Sequence, residues 1–129
     1  MSTSDAPTSG GTSAKPASFA HPDHPGLQIT DLKVGSGPEV KPGDTIEVNY
    51  VGTLEDGTVF DQTQSGPATF AIGKGMLIKG WDAGVPGMRV GGVRRLFVPA
   101  SLGYGQKGAP PKIPPYAALI FEIELLAIK

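Results

Sequence analysis

Glycine and proline divide this chain into short apolar segments, and that division limits the folds open to it. The 129 residues include 19 glycines and 13 prolines, and many of these stand between apolar runs, as turn residues do. One segment fits a helix: Leu77, Trp81 and Val85 recur at spacing four, and Pro86 stops the pattern after about two turns. A helix this short is stable only when other elements pack against it.

Strands are predicted for most of the other apolar segments. The clearest runs from residue 118 to 125, where apolar residues alternate with Glu122 and Glu124 as in a half-buried strand. Residues 46–50 alternate in the same way, and the Asp56-Gly57 pair that follows favours a tight hairpin turn. Further strands are predicted near residues 27–34, 59–60, 69–72 and 93–98. Antiparallel strands with one short helix predict an α+β domain in which the sheet wraps around the helix.

The first part of the chain has a different composition. Residues 1–24 are rich in Ser, Thr, Gly and Pro, so we expect a disordered tail that cannot bury enough apolar surface to offset its ordering entropy. The folded domain is accordingly expected to span residues 25–129. The run from His21 to Pro25 contains two histidines and one aspartate. We interpret it as a solvated stretch rather than a metal site, because no rigid scaffold supports it.

Composition argues against several function classes. The chain has 11 Lys and Arg against 12 Asp and Glu, which gives no basic footprint for nucleic acid or an anionic membrane. It has no cysteine, and therefore no disulfide or thiolate chemistry. No segment approaches the roughly 18 apolar residues of a membrane span, and a secretory signal is not apparent. Gly73-Lys74-Gly75 lacks phosphate-loop spacing and reads as a turn before the helix. We expect a cytoplasmic monomer with no cofactor and no metal.

Aromatic and aliphatic side chains are concentrated between Val48 and Ile123, and this span contains neither cysteine nor histidine. A catalyst built from these residues works without a thiol or an imidazole, and no serine in the domain has a histidine base. Rotation about an X-Pro peptide bond needs neither group, because the obstacle is amide resonance rather than a bond that must be broken.

Eight stretches of the chain resemble the FKBP-type peptidyl-prolyl cis-trans isomerases, in that family's order and with nearly its spacing. They are Val48–Gly52, Leu54–Gly57, Val59–Asp61, Leu77–Trp81, Gly87–Gly91, Leu102–Gly105, Ile113–Pro115 and Leu119–Leu126. The resemblance extends over residues 26–129. It implies a twisted antiparallel sheet of about five strands curved around the short helix, with a hydrophobic pocket between sheet and helix.

The resemblance also implies which residues act in this pocket. Trp81 would form the floor, and the Tyr104 hydroxyl and the Ile78 backbone N–H would donate hydrogen bonds to ligand carbonyls. Asp61 would accept a hydrogen bond at the edge, although strand alternation alone places it on the face opposite to Phe60. The implied catalytic residues are Tyr50, Asp61, Trp81, Tyr104 and Phe121, and the implied ligand-binding residues are Phe60, Phe70, Leu77, Ile78 and Ile113.

The family resemblance implies an isomerase that acts on Pro-containing peptides and unfolded proteins and binds macrolide inhibitors. An apolar pocket would withhold the solvation that water gives the planar amide, and so favour the twisted amide. The alternative is a non-catalytic module that holds Pro-containing segments of a partner. Ala68 stands where the family often has an aromatic residue, and Lys112 where an aliphatic residue is common. Lys112 bears on substrate preference and on the partners of a drug complex, not on the pocket floor.

Overall fold

Seven antiparallel strands and one short helix make up the described part of the chain, residues 17–63 and 65–129 of a computed structural model. The strands are β1 (Ala17–His21), β2 (His24–Lys33), β3 (Thr45–Leu54), β4 (Val59–Gln62), β5 (Ala68–Ala71), β6 (Val93–Val98) and β7 (Leu119–Ile128). The helix α1 spans Lys79–Gly84, and a single 3-10 turn spans Ala100–Leu102.

The strands form one sheet in the order β1-β2-β6-β7-β3-β4, and β5 also pairs with β3. Its centre is the long pairing of β3 with β7, which runs from Leu54 opposite Leu119 to Ile46 opposite Ile128. Along β7 the side chains alternate between buried and exposed as the sequence predicts. The predicted α+β class, an antiparallel sheet with one short helix, is therefore confirmed.

The sheet begins earlier in the chain than the sequence predicts. Residues 17–21 belong to the stretch assigned to a disordered tail, but they form β1, which pairs with β2. Little apolar burial supports this strand, since Phe19 is 44% exposed, whereas the Ser18 and Thr30 hydroxyls lie 2.7 Å apart across the pair. The tail boundary at residue 24 is therefore corrected: residues 17–24 belong to a hairpin, and residues 1–16 lie outside the described residues.

Two glycines of α1 allow the helix to lie close against β6. A Cβ atom on Gly80 would lie 2.6 Å from the Val98 side chain, and one on Gly84 would lie 2.9 Å from Leu96. Val98 and Leu96 are both fully buried. Glycine inside a helix costs about 0.5–1 kcal/mol relative to alanine, and here it allows a contact that any side chain would block.

Gly80→Ala is therefore expected to lower the free energy of unfolding by about 1–3 kcal/mol, because the added methyl group overlaps a buried β-branched side chain. The effect should appear in urea unfolding. In the double variant Gly80→Ala with Val98→Ala, the second change should cost less than it does alone, since the smaller side chain makes room for the methyl group. A Gly80→Ala protein as stable as the wild type would contradict the close approach.

Arg94 joins the end of α1 to the sheet. The residue is 5% exposed, and Nε and Nη2 donate to the two carboxylate oxygens of Asp31 at 2.6 and 3.1 Å. Nη1 donates to the Gly84 carbonyl at 2.9 Å, which satisfies an acceptor at the helix C-terminus. The neighbouring Arg95 points to the other face of β6, as strand alternation predicts, and pairs with Glu122 at the surface.

Candidate functional site

A cavity of about 410 Å³ lies between the sheet and α1. It is lined by Tyr50, Phe60, Asp61, Phe70, Met76, Leu77, Ile78, Trp81, Tyr104 and Phe121. Nine of the ten site residues named from the sequence therefore line one cavity. Met76 also lines it and was not named from the sequence. Six parts of the chain each contribute at least one lining side chain: strands β3, β4, β5 and β7, the helix, and the segment after β6.

Trp81 forms the centre of the aromatic wall. It is 4% exposed, and its ring centroid lies 5.3 Å from that of Tyr50, 5.4 Å from Phe70 and 5.4 Å from Phe121. The planes meet at 88°, 74° and 86°, the edge-to-face arrangement that aromatic quadrupoles favour. Three rings from three different strands thus hold the indole in position.

A β-bulge explains how Phe60 and Asp61 reach the same cavity. Val59 pairs with Thr53 and Asp61 pairs with Gly52, so Phe60 is an extra residue without a partner in the ladder. Such an insertion interrupts the alternation of side chains between the two faces. The expectation of opposite faces is therefore wrong at this position, because it assumes a regular strand.

Gly52 gives these rings room. A Cβ atom at this position would lie 2.7 Å from Cζ of Phe60 and 2.9 Å from Cε1 of Phe121. These two rings meet edge to face, with centroids 5.5 Å apart. The missing side chain on β3 therefore lets the aromatic wall continue across the strand.

Asp61 places a carboxylate at the cavity, held by a tyrosine. The Tyr50 hydroxyl donates a hydrogen bond of 2.7 Å to Oδ2 of Asp61. Burial, and then this carboxylate, raise the pKa of Tyr50 above its ordinary value, because both disfavour the tyrosinate. The phenol therefore keeps its proton and its hydrogen bond throughout the neutral and mildly alkaline range.

Alkaline titration tests this assignment. Because the folded protein holds the Tyr50 proton more tightly than the unfolded chain, Tyr50 stabilises the fold fully below about pH 10 and less as the pH rises further. Tyr50→Phe should remove the tyrosinate absorbance that develops at the highest pH. The difference in unfolding free energy between wild type and variant should narrow above about pH 10. The raised pKa would be contradicted if the tyrosinate absorbance that is missing from the Tyr50→Phe variant developed below about pH 10 in the wild type.

Asp82 of α1 organises the turn before the helix. Its carboxylate accepts the backbone N–H groups of Gly73 at 2.8 Å and Gly75 at 3.1 Å, and both glycines have positive φ. The Gly-Lys-Gly segment is therefore a turn that is hydrogen-bonded to the helix through Asp82. Met76 follows it, lines the cavity and is 75% exposed. Sequence reasoning missed Met76, since an exposed residue in a turn has no periodic signal.

Ile113 is the one predicted pocket residue that does not line the cavity. It is 5% exposed and forms a bridge with Ala109 inside the loop that follows Tyr104. The structure therefore places this side chain in the core under the loop, and its ligand-binding role stays a prediction.

Residues 17–63 and 65–129 contain no group of three or more His, Cys, Asp or Glu side chains placed to hold a metal ion. At the β1–β2 turn, the His21 and His24 rings lie 5.1 Å apart, and His21 Nδ1 accepts a hydrogen bond from the Asp23 N–H. No helix in the described part of the chain is long and apolar enough to cross a membrane.

Comparison with known proteins identifies the family to which the chain is similar. A family model described as FKBP-type peptidyl-prolyl cis-trans isomerase matches residues 37–126. The chain is 54% identical over 102 residues to FK506-binding protein 4 of Dictyostelium discoideum, an alignment covering 79% of this chain and 28% of that protein. It is 50% identical over 105 residues to FK506-binding protein of Neisseria meningitidis, covering 80% and 96% respectively.

A solved structure gives the same result for the fold. The crystal structure of a peptidyl-prolyl cis-trans isomerase from Pseudomonas syringae matches with a TM-score of 0.79 and 38% identity. That match covers 93% of this chain and 86% of the other. The chain thus spans most of two of these proteins, but only 28% of the Dictyostelium protein.

Proposed function

Because the chain belongs to the FKBP-type peptidyl-prolyl cis-trans isomerase family, we propose that it catalyses cis-trans isomerisation of X-Pro bonds in peptides and unfolded proteins. The observation that carries this proposal is the cavity whose centre is Trp81, with three aromatic rings around the indole and one carboxylate at the wall. This site has aromatic walls and few polar groups, which suits a reaction that makes and breaks no covalent bond.

The rate enhancement is proposed to come from differential binding of the twisted amide. Resonance keeps the peptide bond planar behind a barrier of about 18–20 kcal/mol, and water stabilises the charge that resonance places on the carbonyl oxygen. Aromatic walls withhold that solvation, so the cavity disfavours the planar amide more than the twisted one. A thousandfold acceleration requires about 4 kcal/mol, which desolvation and a few hydrogen bonds can supply.

Each polar group then has a specific task. The prolyl ring rests on Trp81, and the Tyr104 hydroxyl, at a side chain 42% exposed, donates to a substrate carbonyl. Ile78 has an extended backbone and is the N-cap of α1, so its N–H precedes the helical ladder and is proposed as a second donor. Asp61, oriented by Tyr50, accepts a hydrogen bond at the edge.

The proposal extends to ligands and setting. Macrolide immunosuppressants are proposed to occupy the same cavity, in line with the names of the relatives. Residues 25–129, together with the hairpin residues 17–24 that pair with them, are proposed as the isomerase domain, acting as a monomer in the cytoplasm.

The test is the cis-to-trans rate of a Leu-Pro peptide with and without a macrolide, together with calorimetric binding of the macrolide alone. Acceleration that the drug abolishes is the expected result. Drug binding without acceleration would replace the proposal with a non-catalytic module that binds Pro-containing segments. If the protein showed neither acceleration nor drug binding, the isomerase proposal and the binding-module alternative would both be overturned.

A further inference from the structure

Two histidines lie side by side at the β1–β2 turn. His21, the last residue of β1, is opposite His24, the first residue of β2, across the two-residue turn Pro22-Asp23. Residues directly opposite in an antiparallel pair project from the same face, with Cβ atoms about 4.5–5.5 Å apart. The two imidazole centroids are 5.1 Å apart, and the ring planes meet at 44°. Both residues are half-buried, so the rings stand together and remain open to solvent.

The turn is attached to the body of the domain through the start of β2. The sequence alone shows no rigid scaffold for the two histidines, whereas the structure provides one. Leu27 is fully buried, and Gly26 lies so close to Pro99 that a Cβ atom on the glycine would be 3.2 Å from the proline Cγ. The Gln28 side-chain amide also donates to the Pro25 carbonyl at 3.1 Å. These contacts hold the histidine pair in place, although a register shift separates it from the rest of the β1–β2 ladder.

The spacing of the two rings suits a shared metal ion. A tetrahedral Zn²⁺ ion lies about 2.0–2.1 Å from each histidine nitrogen that binds it, which puts the centroids of two such rings about 5 Å apart. Nδ1 of His21 accepts a hydrogen bond of 3.0 Å from the Asp23 backbone N–H. A ring nitrogen that accepts a hydrogen bond carries no proton, and a metal ligand must be unprotonated. Binding through Nδ1 therefore exchanges one exposed hydrogen bond for a coordination bond.

We propose that His21 and His24 together bind one divalent transition-metal ion of the class that prefers imidazole ligands, such as Zn²⁺ or Cu²⁺. Water completes the coordination, because no third His, Cys, Asp or Glu joins the pair within residues 17–63 and 65–129. Two protein ligands supply roughly half the binding free energy of a four-ligand structural site, which corresponds to a Kd between about 1 µM and 0.2 mM. The ion is therefore exchangeable. This inference is independent of the proposed isomerase activity.

An ion at this position joins the two strands of the hairpin, because one ligand belongs to β1 and the other to β2. β1 stands at the end of the strand order, and it has little apolar support, since Phe19 is 44% exposed. A ligand that binds only the paired state of the hairpin stabilises that state. The bound ion should therefore hold β1 on the sheet.

The first experiment titrates the full chain with Zn²⁺ in a calorimeter, with Mg²⁺ as the comparison ion. We expect one Zn²⁺ per chain and no binding of Mg²⁺, which prefers oxygen ligands. The chain contains only two histidines, so His21→Gln and His24→Gln remove the proposed ligands one at a time. Each variant should bind Zn²⁺ at least about tenfold more weakly, because the second ligand of a chelated ion binds intramolecularly. Thermal unfolding without metal checks that both variants are folded.

Three results of this titration would overturn the proposal. The first is that the wild-type chain does not bind Zn²⁺. The second is a loss of only about twofold in each single variant, which would mean that the two rings bind ions separately. The third is unchanged Zn²⁺ binding in the double variant His21→Gln with His24→Gln, which would place the ion elsewhere on the chain.

The second experiment measures hydrogen exchange of the β1 amides with and without Zn²⁺. At a free Zn²⁺ concentration ten times the Kd, exchange that requires the hairpin to open should slow about tenfold. The matched control is the double variant His21→Gln with His24→Gln, in which Zn²⁺ should leave β1 exchange unchanged. If Zn²⁺ bound to the wild type without slowing exchange in β1, the proposed role of the ion in holding the hairpin would be wrong.

Discussion

Asp31→Ala is expected to lower the free energy of unfolding by about 3–5 kcal/mol, the cost of removing one partner of a buried ion pair. The Arg94 side chain is 6% exposed and that of Asp31 is 19% exposed, so water cannot replace the two hydrogen bonds that are lost. Small domains are stable by only about 5–15 kcal/mol. The variant should therefore lie near the limit of stable folding.

The adjacent surface pair is a matched control. Glu122→Ala breaks the contact of Glu122 with Arg95, at 2.8 Å between side chains that are about half exposed. Because solvent and salt screen such a pair, the loss should be about 0–1 kcal/mol and should shrink further as salt is added. Urea unfolding of the two alanine variants measures both values. Equal small losses would show that Arg94 does not depend on Asp31 for its burial.

Arg94 contributes the geometry of its hydrogen bonds as well as its charge. Its planar guanidinium donates to both Asp31 oxygens and to the Gly84 carbonyl at once, whereas a lysine ammonium is a compact point charge on a flexible stem. Arg94→Lys should therefore recover little of the stability that Arg94→Ala loses. Full recovery by lysine would mean that the contact with the helix end contributes nothing.

Trp81→Ala should be the most damaging change in the cavity. Removing a buried tryptophan costs about 3–5 kcal/mol of stability, and here it also removes three edge-to-face ring contacts. Turnover of a neutral Leu-Pro peptide should fall about a hundredfold, the rate equivalent of about 3 kcal/mol of lost transition-state binding. The reason is that the prolyl ring would face a void instead of the indole.

Two further variants separate the loss of the floor from the loss of the fold. Trp81→Phe keeps an aromatic ring and should give intermediate turnover in a stably folded protein. Leu125→Ala empties a fully buried core position that does not line the cavity, so it should cost about 2–5 kcal/mol of stability with unchanged turnover per folded molecule. If Trp81→Phe and Leu125→Ala lowered turnover equally, Trp81 would have no role beyond packing.

The sequence predicts this fold where side-chain pattern and backbone geometry agree. Along β7, one face is apolar and the other carries Glu122 and Glu124, and the strand forms as expected. The alternation pattern does not predict the direction of the side chain at Phe60, because a bulge adds this residue to the strand. The order of apolar and polar residues in the sequence does not indicate the bulge. The pattern also fails at β1, where pairing with β2 depends on backbone hydrogen bonds that any residue except proline can make.

The residues that line the cavity were named from the family resemblance, and the apolar pattern agrees with most of them. Phe60, Trp81 and Phe121 are core residues as well as lining residues, so the apolar pattern alone marks them without assigning a role. Met76 gave no such signal, because its position follows from the contacts of Asp82 with two turn glycines. Ile113 is apolar in the sequence and buried in the structure, so the apolar pattern identifies it as a core residue, and its ligand-binding role stays a prediction.

The position of Trp81 gives the protein a built-in optical reporter. The chain has a single tryptophan, and this residue lines the cavity, so all indole emission reports on the cavity and no other indole contributes to it. A ligand that fills the cavity changes the polarity around that indole, and unfolding exposes the indole to water. Occupancy and folding of this protein can therefore be followed in the same cuvette, without a label and on the native chain.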